Sequence, residues 1–471
     1  MQEITENTAL KPEVEAAVPE DLRPTKERIM DPLSYGASFL GGCVSIGTFS
    51  MGASLIGALT VTQAIIAMAI GCAVIAVALV LVGNCGHKYG IPYSIQLRTS
   101  FGVSGVKLPG LLRGVPAIIW FGYQSWIGAE AIDNCLNVLF GISCLPVVYV
   151  LFTALQVALA IKGFKEIKWL ENISCIFIIV ILIYMLYVVR TQFSTEIADA
   201  FSNIQGSWGL PFWTATTSFL GIYSTMIINA SDYARNLRRK TGSGATGVIY
   251  AVAILPVTLF IGLIGLLVTA ATGNSDPVAV FTSTMDSKFL TVLTLLFIAF
   301  AQVSTNVLNN IVPPAYVLMD SFKIKWAPST IIVGILSICC CPWLLVTPES
   351  AEGLSLFTRI YSAFLGPIFA VMVVDYYILR RQKLDLNQLY DRKGTFKGVN
   401  IAGILAVLLG SCCSLFLVDL SWYVSLIPTG VIYYLLMRYL NRAAPFRTGT
   451  IFAKSKSELL FVKEKATFWT T

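Results

Sequence analysis

The feature that most limits what this chain can become is a series of twelve apolar runs, near 33–57, 61–83, 111–138, 144–162, 171–189, 211–231, 246–271, 289–311, 328–347, 354–379, 399–418 and 422–440. A helix needs about twenty apolar residues to cross hydrocarbon. In lipid the backbone must satisfy its own hydrogen bonds, which leaves helices or closed barrels. The runs therefore predict an all-α, polytopic membrane protein with twelve transmembrane helices. With 56% hydrophobic and 13% charged residues, the 471-residue chain lies outside the range of soluble domains. The first thirty residues are polar, without the apolar core of a signal peptide, and read as a tail.

The loops test the count, because lysine and arginine concentrate on the cytoplasmic side. Bases cluster before run one, between runs two and three (Lys88, Arg98, Lys107, Arg113), four and five, six and seven (Arg235, Arg238, Arg239, Lys240), eight and nine, ten and eleven, and in the C-terminal tail. The alternate loops carry acids such as Glu196, Asp199, Asp276 and Asp419. This alternation places both termini in the cytoplasm. The net charge of +7 is then a topology signal and not a nucleic-acid footprint.

Nothing in the sequence suggests an enzyme: no nucleophile sits beside a base, and no phosphate loop is present. The eleven cysteines lie in or beside apolar runs and read as small packing residues. The single histidine, His87, falls in a polar connection, Asn84 to Gly105, expected to be short and amphipathic or irregular. Glu130 and Asp133 mark the outer edge of run three, and Asp232 and Asp375 sit beside basic loops, where capping or ion pairing is expected.

Two runs place recognition chemistry at membrane depth, where unpartnered polar groups are costly. In PAIIWFGYQSWIGAEAIDN, Trp120 and Gln124 are four residues apart and share a helix face. An indole plane beside a carboxamide suits a flat polar ring; the alternative is an interfacial aromatic and an interhelical hydrogen bond. In AQVSTNVLNN, Ala301, Ser304 and Thr305 fall at i, i+3 and i+4. Two hydroxyls with carbonyls from a broken helix would cage sodium, or both hydroxyls bond back to their own helix. Asn310, roughly 140° round the wheel from Thr305 at 100° per residue, would face a second ligand. Runs one (with Gly36, Gly41, Gly42, Gly47 and Gly52) and six (with Gly221, Ser224, Thr225 and Asn229) are five apart. Interrupted helices at such matching places point to an inverted-repeat transporter, whereas close helix packing explains the glycines equally well.

The blocks WFGYQSWIGAEAID, GIPYSIQLRTSFGVSG, STNVLNNIVPPAY and LGPIFAVMVVDYYILRR resemble the nucleobase-cation-symport-1 family of hydantoin, allantoin, uracil and cytosine permeases, from about Asp31 to Arg442. The resemblance implies a LeuT-like core of two inverted five-helix repeats plus two C-terminal helices. The implied divisions are 1–30 (tail), 31–190 and 205–381 (repeats), 398–440 (helices eleven and twelve) and 441–471 (tail). By motif, Trp120 would stack on the solute, Gln124 and Asn310 would pair with its amide edge, and Tyr223 and Ser45 would complete the pocket. A sodium cage would use the carbonyls of Gly41, Val44 and Ala301 with the hydroxyls of Ser304 and Thr305; protons are the alternative coupling ion. Tyr223 stands where the hydantoin-type pattern has a second tryptophan, which favours a compact nucleobase such as uracil, or allantoin, over bulky hydantoins; Ser45 stands where that pattern has glutamine, which leaves substrate choice open.

The expectation is a monomeric symporter in the cell membrane, surrounded by lipid, importing a nucleobase or cyclic ureide with a cation and binding no nucleic acid. An uncoupled facilitator or channel for small planar solutes is the competing reading.

Overall fold

The structure, a computed structural model, describes residues 10–43, 46–162, 193–274, 287–345 and 350–453, together with single positions between 176 and 191 and Asp276, Val278 and Ala279. Among these residues the secondary structure is helical; the one bridge between extended segments pairs Met30 with Leu237. Most of run five lies outside the described residues.

The spans are α1 (Pro32–Cys43), α2 (Ile46–Ala53), α3 (Val61–Tyr89), α4 (Lys107–Phe140), α5 (Leu145–Lys162), α6 (Leu210–Ile228), α7 (Ala230–Ala234), α8 (Ser243–Thr272), α9 (Lys288–Asn306), α10 (Val312–Phe322), α11 (Trp326–Cys339), α12 (Ser350–Val373), α13 (Ile401–Phe416) and α14 (Ser421–Tyr439). Run one is described as α1 and α2 on either side of residues 44–45, which lie outside the described residues. Run six keeps a continuous α6 and breaks only at Asn229, which leaves helical geometry at φ −101°, ψ 23° before α7 begins. Among the described residues, six helices are long and apolar enough to cross a bilayer by length and composition. Runs nine and eleven form the shorter α11 and α13.

Local chemistry sets the helix ends. Asp31 accepts from the Ser34 backbone N–H at 3.0 Å at the start of α1, a bond that holds its carboxyl below the usual carboxylate range. Thr60 and Gln63 cap α3 reciprocally at 3.1 and 3.3 Å, and Gly90, at φ 76°, ends it.

The helices sort into two sets. In one, α1 and α2 pack on α8, and α3 packs on both α6 and α8. In the other, α4 packs on α5 and α9, and α11 packs on α5 and α10. Exchanging each run with the one five later returns the same pairings, the relation two inverted repeats produce. In run one the glycines serve packing at least at Gly52: a side chain there would strike the Gly262 backbone of α8. Helices α13 and α14 pack on α12.

The connection after α3 differs from the sequence reading. His87 belongs to the last turn of α3, and residues 91–101 are buried, with short helices at Tyr93–Gln96 and Arg98–Phe101. Arg98 Nη2 meets Asp320 Oδ1 at 2.6 Å, and Arg392 reaches the same oxygen at 2.7 Å. Arg380 pairs with Asp375 at 2.9 Å and donates to the Thr99 carbonyl at 3.2 Å. Two of the blocks that carry the family resemblance, Gly90–Gly105 and Leu365–Arg381, are thereby pinned together. Arg113 also departs from expectation: counted as a loop base, it lies inside α4 and is fully buried.

Asp320→Ala strands Arg98 as an uncompensated interior cation, so stability should fall by about 3–5 kcal/mol. The paired change Arg98→Met/Asp320→Met should cost less, and thermal unfolding in detergent compares the two.

Candidate functional site

The sequence-predicted pair on α4 faces inward: Trp120 and Gln124 are both buried. With them, Ile222, Tyr223, Thr225 and Met226 of α6 and Thr305, Asn309 and Asn310 beyond the middle of the α9 run enclose a cavity of about 30 Å³. That is the room of about one water. Its polar groups pair with one another.

Trp120 Nε1 donates to Tyr361 Oη at 3.1 Å, and Tyr361 in turn donates to the Gly221 carbonyl at 2.8 Å. This chain ties α4 to α12 and α6 and fixes the indole plane. Tyr123 packs edge-on against Trp120, 5.5 Å between centroids. The Tyr223 phenol reaches Thr258 on α8 at 2.8 Å, so its ring lines the cavity while its hydroxyl is held outside it.

Gln124 Oε1 accepts from Asn310 Nδ2 at 3.4 Å, and Asn310 Nδ2 also donates to Asn306 Oδ1 at 2.8 Å. Asn306 Nδ2 points to the Phe121 carbonyl, Ser125 Oγ and Gln156 Oε1 at 3.0–3.1 Å, and Gln156 Nε2 donates to Ser125 Oγ at 2.9 Å. A continuous amide network thus runs from α5 through α4 to the cavity wall. Asn306 and Tyr361 escaped the sequence reading. The spacing of Asn306, one turn before Asn310, was a usable signal; for Tyr361 the sequence offered none.

The helical-wheel argument for Asn310 needs correction. Val307–Ile311 form a π-turn, in which the backbone bond spans five residues. Thr305 and Asn310, five apart, both line the cavity. The same turn brings Asn309 to the wall, where Oδ1 accepts from Tyr233 Oη at 2.7 Å.

Of the expected sodium ligands, Ala301 and Thr305 are buried on α9, and Gly41 lies near the end of α1. The side chain of Ser304 and the whole of Val44 lie outside the described residues, as does Ser45, expected in the solute pocket. Asp133 accepts from Ser143 Oγ at 2.6 Å and the Cys144 N–H at 2.7 Å, which makes it a loop anchor at the end of α4. No group of three or more metal-ligating side chains occurs among the described residues.

A family profile described as permease for cytosine/purines, uracil, thiamine and allantoin matches residues 23–439. The chain belongs to this family, the nucleobase-cation-symport-1 transporters. It is 26% identical to the hydantoin permease of Microbacterium maritypicum, over 90% of this chain and 89% of that one. To the allantoin permease of Bacillus subtilis it is 27% identical, over 89% and 93%. Mhp1, a nucleobase-cation-symport-1 family transporter solved in a closed conformation with bromovinylhydantoin bound, matches with a TM-score of 0.83. The match covers 94% of this chain and 98% of that chain at 24% identity, a likeness of fold. Family membership makes the chain a multi-pass membrane permease that uses a coupling ion, and not an enzyme.

Asn306→Ala leaves the amides of Gln156 and Asn310 short of partners, each worth about 1–3 kcal/mol when buried. Uptake should fall at least about tenfold although Asn306 itself does not line the cavity, with membrane insertion checked by fluorescence-detection size exclusion.

Proposed function

We propose that the chain imports a flat nucleobase or cyclic ureide by alternating access, drawn by a cation gradient, with both termini in the cytoplasm. The observation that carries this is the meeting, in one buried cavity, of an indole face with two carboxamides from different helices. Trp120 supplies the stacking surface, and Gln124 and Asn310 each offer a donor and an acceptor, the complement of a cyclic amide edge. The two now bond to each other. A solute takes over those bonds as the helices part, and a ring lacking the amide pattern would leave them unpaired, which is a strong basis for rejection.

Tyr223 sets the size of the pocket. A phenol anchored to Thr258 gives less ring area than an indole and cannot swing away without losing its bond, so a compact ring such as uracil, or allantoin, fits better than a hydantoin with a bulky substituent. Ser45 is assigned to the facing wall on the family pattern alone.

Sodium is the proposed coupling ion, held by the carbonyls of Gly41, Val44 and Ala301 and the hydroxyls of Ser304 and Thr305. The support is the i, i+3, i+4 spacing of Ala301, Ser304 and Thr305 on the helix that also presents Asn310. An ion held at Thr305 stabilises the same helix geometry the solute needs, so each raises the affinity of the other. Against an uncoupled pore stands the gathering of the polar groups in one small cavity among the described residues.

Trp120→Ala should weaken solute binding by about 1–3 kcal/mol of lost stacking, roughly 5- to 150-fold, and Gln124→Ala should abolish uptake with the protein still folded. Near-normal uptake in both would remove the assignment. Thr305→Ala should raise the sodium concentration needed for half-maximal uptake; unchanged sodium dependence argues for protons. Competition by uracil, cytosine, hypoxanthine, allantoin and hydantoins against a labelled substrate identifies the solute.

A further inference from the structure

Arg113 is an interior cation in a membrane helix, and none of its hydrogen bonds goes to a carboxylate. Its Nη2 donates to Asn229 Oδ1 and to the Asn309 carbonyl, both at 2.9 Å, and its Nε donates to Asn229 Oδ1 at 3.3 Å. Asn229 turns its Nδ2 to Asp232 Oδ2 at 3.2 Å, so its amide stands between a buried guanidinium and a buried carboxylate. The other Asp232 oxygen accepts from the Tyr93 N–H at 2.8 Å, and Tyr93 Oη donates to the Pro109 carbonyl on α4 at 3.1 Å.

The position of these groups gives them a task. Asn229 is the break between α6 and α7, one turn beyond Thr225 of the cavity wall; Asn309 is itself a wall residue in the π-turn. Arg113 sits on α4 two turns before Trp120, toward the end of the helix that adjoins the basic loops. One side chain thus joins the three cavity-lining helices immediately below the site, on the side where a solute leaves for the cytoplasm.

We propose that Arg113 is the latch of the inner gate: its bonds to Asn229 and Asn309 hold the cytoplasmic side shut, and Asn229 relays the interaction to Asp232. Opening inward moves α6 away from α4 and α9, and that motion breaks the Arg113 fork first. Arg113 is a positioning residue that never touches the solute. The latch rests on the alternating-access reading of this same site and adds the groups that set its inward-open fraction.

The test reads the gate without a solute. A cysteine placed at the cavity wall, Met226→Cys, is exposed to a membrane-impermeant maleimide in inside-out and right-side-out vesicles, and labelling at that peptide is measured by mass spectrometry. Adding Arg113→Gln should raise labelling about tenfold or more from the inner side and lower it from the outer side, the loss of charge-assisted bonds converted into population. Arg113→Lys, which keeps the charge but not the fork, should fall between. Asn229→Ala provides the same test with the cation in place should Arg113→Gln fail to fold. Asp232→Asn combined with Arg113→Gln should add less than the two changes measured apart. Unchanged labelling, or an equal rise from both sides, overturns the latch. A shifted gate with no competitor recognised in the solute panel would instead retain the latch and overturn the solute assignment.

Discussion

A polar group inside a bilayer has no water to fall back on, and every buried amide, hydroxyl and charge in this chain is placed under that constraint. The result is a set of side-chain networks that do the work packing does in a soluble core. Gln156, Ser125, Asn306, Asn310 and Gln124 form one such line across α5, α4 and the π-turn. Tyr361 and Gly221 form another with Trp120. Helices in lipid gain little from burying apolar surface against each other, so these bonds fix which faces meet, and the faces that meet are those that build the site.

Much of this was legible in the chain. Twelve apolar runs and alternating basic loops gave the fold class, and the four-residue spacing of Trp120 and Gln124 placed both on the cavity wall. What the sequence hid follows from geometry that periodicity does not encode. A π-turn contains no distinctive residue, so an α-helical wheel turned Asn310 away from Thr305 when both face inward. Arg113 was counted with the loop bases because a charge near the end of an apolar run normally reaches water. Its partners Asn229 and Asn309 lie over a hundred residues away in sequence, and only the tertiary fold brings them to it. Tyr361, in an ordinary apolar run, carried no mark at all.

The π-turn has a consequence beyond register. An α-helix uses each carbonyl for the amide four residues on, whereas a π-turn disturbs that ladder. Here it presents the Asn309 carbonyl to Arg113 and the Asn309 and Asn310 side chains to Tyr233 and Gln124. On the proposed readings, solute wall and inner closure therefore share one irregular turn, and a change in how Asn310 is engaged would be a change in the segment that Arg113 grips.

The pairing of Gln124 with Asn310 also bears on how a carrier completes its cycle. A site built only to fit a ring would leave two buried amides unsatisfied when empty, a penalty of about 1–3 kcal/mol each, and the empty protein would resist closing. Here the two amides bond to each other at 3.4 Å across the small cavity. On the proposed site assignment, the same pairing would reduce net solute affinity, because binding would exchange one set of hydrogen bonds for another instead of creating new ones. For a transporter that is an advantage: the solute must be released after it is recognised, and selectivity survives the exchange because only a ring with the matching donor and acceptor edge replaces what the two amides give up.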